Sequence, residues 1–335
     1  MKIDGPFYSR VDDAPQEAKR LAEIGYDGVY SFEGSWDPFY PLLLASEHAP
    51  ELDIATGVAI AFPRNPSHLA YQAWDLQRFS KGKFLLGIGS QIKPHIEKRF
   101  GVEFSPPAAR MREYIQAVKA FFNCWQHDEP LDFRGKFYTH TLMTPMFHAG
   151  KNPYGIPPIL LGALGPKMTE VAGEVADGLI VHPFNTMPFL EEKALPAVMS
   201  GLEKSQRSRD DFIMQINAIV ITGETDEEYQ AAEDSVKNLL GFYSTTPSYK
   251  LPMDSVGYGD LQPKLNALSK EGKWEELATY IDDDFVEAFT TRGKPEEIAG
   301  KLKAKYGAYA DRLSIYAPYA GSDAMWKKIV TELKS

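Results

Sequence analysis

Short apolar runs rich in β-branched residues alternate with amphipathic stretches along the whole sequence. That order calls for parallel strands joined by crossover helices. The first strand is expected at Lys2–Phe7. A helix follows with Pro15 near its start, Ala18, Leu21 and Ala22 as its apolar stripe and Gly25 as its stop. Further strands fall at Asp27–Phe32, Ile54–Ile60, Lys83–Gly89, Pro157–Leu161, Gly178–Val181, Phe212–Ile221 and Leu313–Tyr316. Helices are expected at Arg110–Trp125, from Pro166 with Met168, Val171, Ala172 and Val175 on one face, and near the end through Trp326 and Leu333. Thr225 and Glu228 stand at capping-box spacing ahead of Tyr229, Ala232, Val236 and Leu239. Eight strand candidates interleaved with helices favour a closed (β/α)8 TIM barrel over an open sheet.

Two stretches break the alternation. Asp128–Asn152 is polar and reads as a hairpin or excursion. Phe242–Asp284 combines Tyr243, Tyr249 and Tyr258 with a short helical pattern around Leu261–Leu268. Both read as insertions at the loop face of one domain spanning residues 1–335, where they would cover or shape a site.

Charge and cysteine usage narrow the partners. With 36 basic against 46 acidic residues and a net charge of −10, nucleic acid is a poor main partner, because phosphate backbones demand a basic face. The single cysteine, Cys124, forms no internal disulfide. No apolar run has signal-peptide or membrane-spanning length, so a soluble, cytoplasmic protein is expected.

The catalytic motifs are thin. None of the seven histidines forms a His-Glu-x-x-His pair, so a catalytic transition metal is not expected. Gly87-Ile88-Gly89-Ser90-Gln91-Ile92 starts like a dinucleotide fingerprint, but Ile92 stands where the third glycine belongs. No serine sits in a Gly-x-Ser-x-Gly elbow, and Cys124 lies in an apolar helix as an inert thiol. An organic cofactor is then the natural carrier of the chemistry.

Its site should lie at the carboxyl ends of the strands. Gly162-Ala163-Leu164-Gly165-Pro166-Lys167 feeds a helix start whose free amides suit a phosphate; a plain turn with a solvated lysine accounts for it equally well. Gly57-Val58-Ala59 marks a bulge or close backbone approach, or else simple packing. Ser90 and Gln91 could touch a heterocyclic edge, or merely end a strand ahead of a solvated helix. Glu33 is a candidate proton-transfer or orienting carboxylate, and Asp37 a cap for the helix after Pro38.

Three segments together carry a resemblance: Thr56–Pro66, Leu86–His95, and Gly162–Lys167 with Ala172–Gly178. In order and spacing they resemble the luciferase-like oxidoreductases, most closely the branch that uses the deazaflavin coenzyme F420, whose relatives use FMN. The resemblance implies a barrel with the cofactor ring at its carboxyl end. It implies a strand-three bulge backing the ring, often with a non-proline cis peptide, carried here to Gly57-Val58 or Val58-Ala59. It further implies phosphate binding at Gly162, Ala163, Leu164, Gly165 and Lys167, ring or ribityl contacts from Ser90 and Gln91, and an acid near the cofactor at Glu33. Many F420 members place a histidine beside that acid; here Gly34 follows, with Trp36 beyond as a substrate contact. Where some members have a glutamate after strand four this chain has Ile92, so His95 or His182 could serve instead. Tyr243 and Tyr249 are candidate substrate contacts on a lid.

The expected function is hydride transfer between F420 and a small organic substrate. The alternatives are an FMN-dependent monooxygenase using reduced flavin and oxygen, and a flavin-binding barrel without catalysis. The family's habit and the many aromatic residues suggest a homodimer.

Overall fold

A computed structural model describes all of residues 1–335. Eight parallel strands close on themselves: β1 (Lys2–Pro6), β2 (Gly28–Ser31), β3 (Asp53–Thr56), β4 (Phe84–Gly89), β5 (Ile159–Ala163), β6 (Gly178–Val181), β7 (Ile213–Ile221) and β8 (Arg312–Tyr316). Each pairs with the next, and β8 pairs back onto β1 with Lys2 opposite Arg312, so no edge is left open.

The helices outside the barrel follow their local chemistry. In α1 (Ala14–Ile24), Pro15 opens the first turn and Gly25 ends the helix at φ 102°. Helices α2 (Phe39–His48), α3 (Pro66–Phe79), α4 (Pro107–His127), α5 (Pro166–Val175) and α6 (Leu195–Lys204) come next in order. Helix α7 (Asp226–Ser244) carries the expected capping box between Thr225 and Glu228. One large apolar core fills the layer between barrel and helices; within it Trp74 stacks on Phe122 at 5.4 Å, and Cys124 is buried. No helix is long and apolar enough to cross a membrane.

The two irregular stretches have distinct forms. Phe133–Arg134 pairs antiparallel with Thr139–His140 in a minimal hairpin. After α7, short helical turns and a helix at Leu261–Lys270 enclose a separate apolar cluster around Phe184, Phe285 and Phe289.

Two expected boundaries move at the site. The third strand is not continuous from Ile54 to Ile60: it stops at Thr56, breaks at Gly57-Val58 and resumes at Ala59–Ile60. The long helix starts at Pro107 rather than Arg110, because a proline fits its first turn.

Period-two alternation sorts the barrel interior into layers. At the amino-terminal end, Arg312 donates to Asp4 from Nε at 2.8 Å and to Asp53 from Nη1 at 2.8 Å. A Cβ on Gly28 would stand 2.7 Å from the Arg312 guanidinium, so a glycine there leaves room for it. Above this ionic plug lie Tyr30, Ala55, Leu85, Leu160 and Ile180, buried together. The next inward positions form the mouth.

Candidate active site

The mouth is built around Val58. The Gly57–Val58 peptide is cis, at one of the two bonds that the resemblance points to. Gly57 N donates to Ser31 O at 2.7 Å, Glu33 N to Val58 O at 3.1 Å and Ala61 N to Gly89 O at 2.9 Å, so the break is stitched to the strands on both sides. The Val58 side chain then lies across β4 and β5. A Cβ on Gly89 would come within 2.8 Å of Val58 Cγ2, and one on Gly162 within 2.9 Å of Val58 Cγ1. Both glycines are therefore needed where they stand, and Val58 with its neighbours forms an apolar shelf.

Glu33 and Arg64 lock the other side of the break. Glu33 Oε2 accepts from Ile60 N at 2.7 Å and from Arg64, whose Nη1 also donates to Ile60 O at 2.9 Å. Asp37 accepts from Phe39 N at 2.9 Å, as a cap should, and also pairs with Arg64 at 3.3 Å. The guanidinium is thereby neutralised.

Aromatic rings complete the circle. Tyr8, just beyond β1, packs edge-on against Phe32 at 4.9 Å and against Tyr316 at 6.2 Å. Tyr8 and Tyr30 share a hydrogen bond of 3.2 Å, and Tyr243 reaches Tyr316 at 3.4 Å. Burial and mutual repulsion push the Tyr8 and Tyr243 hydroxyls well above their ordinary range, so both stay protonated. His182, directly after β6, lies 5.2 Å from the Tyr243 ring and 4.6 Å from Tyr249. Its Nδ1 accepts from Phe184 N at 3.1 Å and its Nε2 meets Tyr249 Oη at 3.0 Å. Burial lowers the imidazole to about 4, so the ring is neutral at pH 7. Asn217 on β7 donates to Val181 O at 2.9 Å and leaves its buried Oδ1 without a partner.

Beside the shelf, β5 runs into the start of α5. Gly165 is the N-cap residue at φ −68°, and nothing lies within 4 Å of where its Cβ would stand. Met168 N and Thr169 N turn back onto Gly165 O, each at 3.0 Å, while the amides of Leu164, Gly165 and Lys167 have no acceptor. Lys167 is exposed. The arrangement can hold an anionic group at the positive end of the helix.

Residues 4–312 match the luciferase-like monooxygenase family. The chain belongs to that family. Among luciferase-like relatives, an uncharacterized protein of Mycobacterium tuberculosis is 42% identical over 313 residues, covering 93% of this chain and 92% of its own. A putative coenzyme F420-dependent oxidoreductase of the same organism is 28% identical, covering 79% of each chain. The solved coenzyme F420-dependent tetrahydromethanopterin reductase of Methanopyrus kandleri shares the fold with a TM-score of 0.81, at 18% identity, covering 99% of this chain and 97% of that one.

Gly57, Val58, Gly162 and His182 converge on the mouth, with Ser90 and Gln91 at the end of β4, whereas Ala59 is fully buried in the apolar core between barrel and helices. Gln91 adopts φ 58°, and its side chain folds back to accept from Ile92 N at 2.9 Å. Tyr243 and Tyr249 reach over from the late insertion to meet His182. His95 stands apart on an exposed turn after β4, and its imidazole makes no hydrogen bond. Trp36 lies on the outer rim, 43% exposed, with the Arg10 guanidinium 5.9 Å over its ring. Sequence reasoning missed Tyr8, Tyr316, Asn217 and Arg64. The first three follow from inward parity at strand ends, a signal that needs the strand register to be known. Arg64 carries no such signal.

Proposed function

We propose that this chain is an F420-dependent oxidoreductase that transfers a hydride between the deazaflavin and a small, uncharged organic substrate. The observation that carries this reading is the pairing of the Val58 shelf with the open start of α5. A flat ring can rest on the first while its phosphorylated tail meets the second. The residues present fit such a group: the space at Gly165 is one a Cβ would fill, and free amides line it. When bound, the deazaflavin supplies or accepts the hydride.

The chain's own residues bind, orient and exclude water. The amides of Gly165 and Lys167 bind the phosphate, with Ala163 and Leu164 shaping the approach and the Lys167 ammonium adding charge at the rim. Val58, between Gly57 and Ala59, backs the ring, and Ser90 and Gln91 border it. Glu33 fixes the broken strand through Arg64 and so orients the shelf. Tyr8, Phe32, Tyr243, Tyr249 and Tyr316 wall off a largely apolar space, with Trp36 at its entrance. With Arg64 balanced by two carboxylates, a neutral substrate suits that space best. The relatives that carry F420 in their names agree with the reading.

A luciferase-like monooxygenase that takes reduced FMN and oxygen is the second reading, favoured by the family's own description. Fluorescence titration of the purified protein with F420 and, anaerobically, with reduced FMN separates them. Saturable binding of F420 with little affinity for reduced FMN is expected, and the reverse order would replace the first reading with the second. Bound F420 that exchanges no electrons with any substrate would instead point to a binding protein without catalysis.

A further inference from the structure

We propose that Tyr249 is the proton donor of this site, its hydroxyl aimed by His182 at the oxygen of a neutral carbonyl substrate. This rests on the F420 reading and adds to it the substrate class and the group that completes the reaction.

The polarity of one short hydrogen-bond chain carries the argument. The Phe184 amide can only donate, so His182 Nδ1, 3.1 Å away, must present a lone pair. The single proton of the neutral imidazole therefore sits on Nε2, 3.0 Å from Tyr249 Oη. Tyr249 Oη accepts that proton's hydrogen bond, and its own proton has no acceptor within the protein. The other hydroxyls of the mouth are placed differently. Tyr30 donates to Ile315 O at 3.3 Å and Tyr8 can then donate to Tyr30, so both protons are engaged. Tyr243 is directed at Tyr316, whose own proton is also free but which accepts only a long phenol O–H bond of 3.4 Å. Of these phenols, only Tyr249 receives a ring N–H, the contact that would hold a phenolate once its proton has gone. The groups packed on His182 are Tyr243, Tyr249 and Phe184, none of them charged at neutral pH.

The other proton donors considered for this site are unsuitable. Glu33 Oε2 is taken up by the Arg64 guanidinium and the Ile60 amide on the far side of the strand break, and His95 is turned to solvent.

In the step itself, a bound reduced deazaflavin would supply the hydride: its C–H bond would break as it is oxidised, and a new C–H bond would form at the carbonyl carbon, which is reduced. The π pair moves to oxygen, the Tyr249 O–H bond breaks and its proton passes to that oxygen. The pair left on Oη is held by His182 Nε2–H until a solvent proton replaces the one lost. Tyr249 is pushed up to about 12, which keeps it protonated at rest, yet it remains a stronger acid than water or an alcohol, so transfer to a nascent alkoxide runs downhill.

The test combines two measurements. In the protein labelled with 15N-histidine and free of cofactor, the two-bond 15N–1H pattern of His182, assigned by its loss in His182→Gln, should be that of the Nε2–H tautomer; an Nδ1–H pattern overturns the proposal. With reduced F420 and cyclohexanone, acetophenone and benzaldehyde as probes, at least one should regenerate oxidised F420. Tyr249→Phe should then lower kcat about a hundredfold or more while the F420 dissociation constant changes less than about threefold. His182→Gln, which keeps an N–H donor, should retain more activity than His182→Leu. Unchanged kcat in Tyr249→Phe overturns the donor role, and F420 binding without turnover of any carbonyl probe overturns the substrate class; both leave the F420 reading standing. Failure of the wild-type protein to bind F420 overturns both.

Discussion

Val58 occupies the space that a side chain on Gly162 would need: its Cγ1 lies 2.9 Å from the position of a Cβ there. A shelf residue and a strand glycine thus specify each other across two strands. Gly162→Ala should cost about 1–3 kcal/mol in urea unfolding, because the β-branched neighbour cannot swing clear. Val58→Ala in the same chain should recover most of that cost. A double-mutant cycle with no coupling would show that the two do not meet as described.

Gly165 gives the opposite expectation. Its backbone is ordinary for any residue and the space around its Cβ is open. Gly165→Val should leave the unfolding temperature nearly unchanged, yet raise the F420 dissociation constant at least about tenfold by filling the phosphate position. Unaltered affinity in a fluorescence titration would remove the phosphate role from the start of α5.

Glu33 joins β2 to the broken third strand through Arg64 and the Ile60 amide. Glu33→Ala should cost roughly 1–3 kcal/mol of stability, since it leaves a buried N–H unpaired, and F420 affinity should fall with it. A kcat loss of about a hundredfold with affinity intact would instead make Glu33 a proton-transfer group.

His182 should leave a mark on the pH dependence of folding. Its folded-state pKa is about 4, against an ordinary 6.5, so the unfolded chain takes the proton first as pH falls. The contribution of the neutral ring is complete above pH 6.5 and is lost between 6.5 and 4, to a total of up to about 3 kcal/mol. Urea unfolding at stepped pH should show His182→Gln with a flatter profile than wild type over that interval. Parallel profiles would mean that the imidazole is not held neutral by its surroundings.

The barrel was legible because each strand is an apolar run bounded by turn residues and each helix has its own stripe and cap, as with Thr225–Glu228 and Gly25. Those are local signals. The interruption of the third strand was not legible from local composition, since Ile54–Ile60 reads as one run; the glycine hinted at it, and the family resemblance put a bulge at Gly57-Val58 or Val58-Ala59. Tyr243 and Tyr249 could be picked out as aromatic residues of an insertion, but not their approach to His182, which for Tyr249 closes a separation of 67 residues. Arg64 stands between two prolines with no sequence signal that marks it for the site. Its partner Glu33 lies 31 residues away, and no periodicity encodes a pairing of that kind.

The Arg312, Asp4 and Asp53 plug makes the barrel a well rather than a pipe. Whatever settles deepest must enter first and depart last, past anything lying above it. Two reactants sharing this well would follow an obligatory sequence of addition, and the lower one, once spent, could leave only after the upper one had gone.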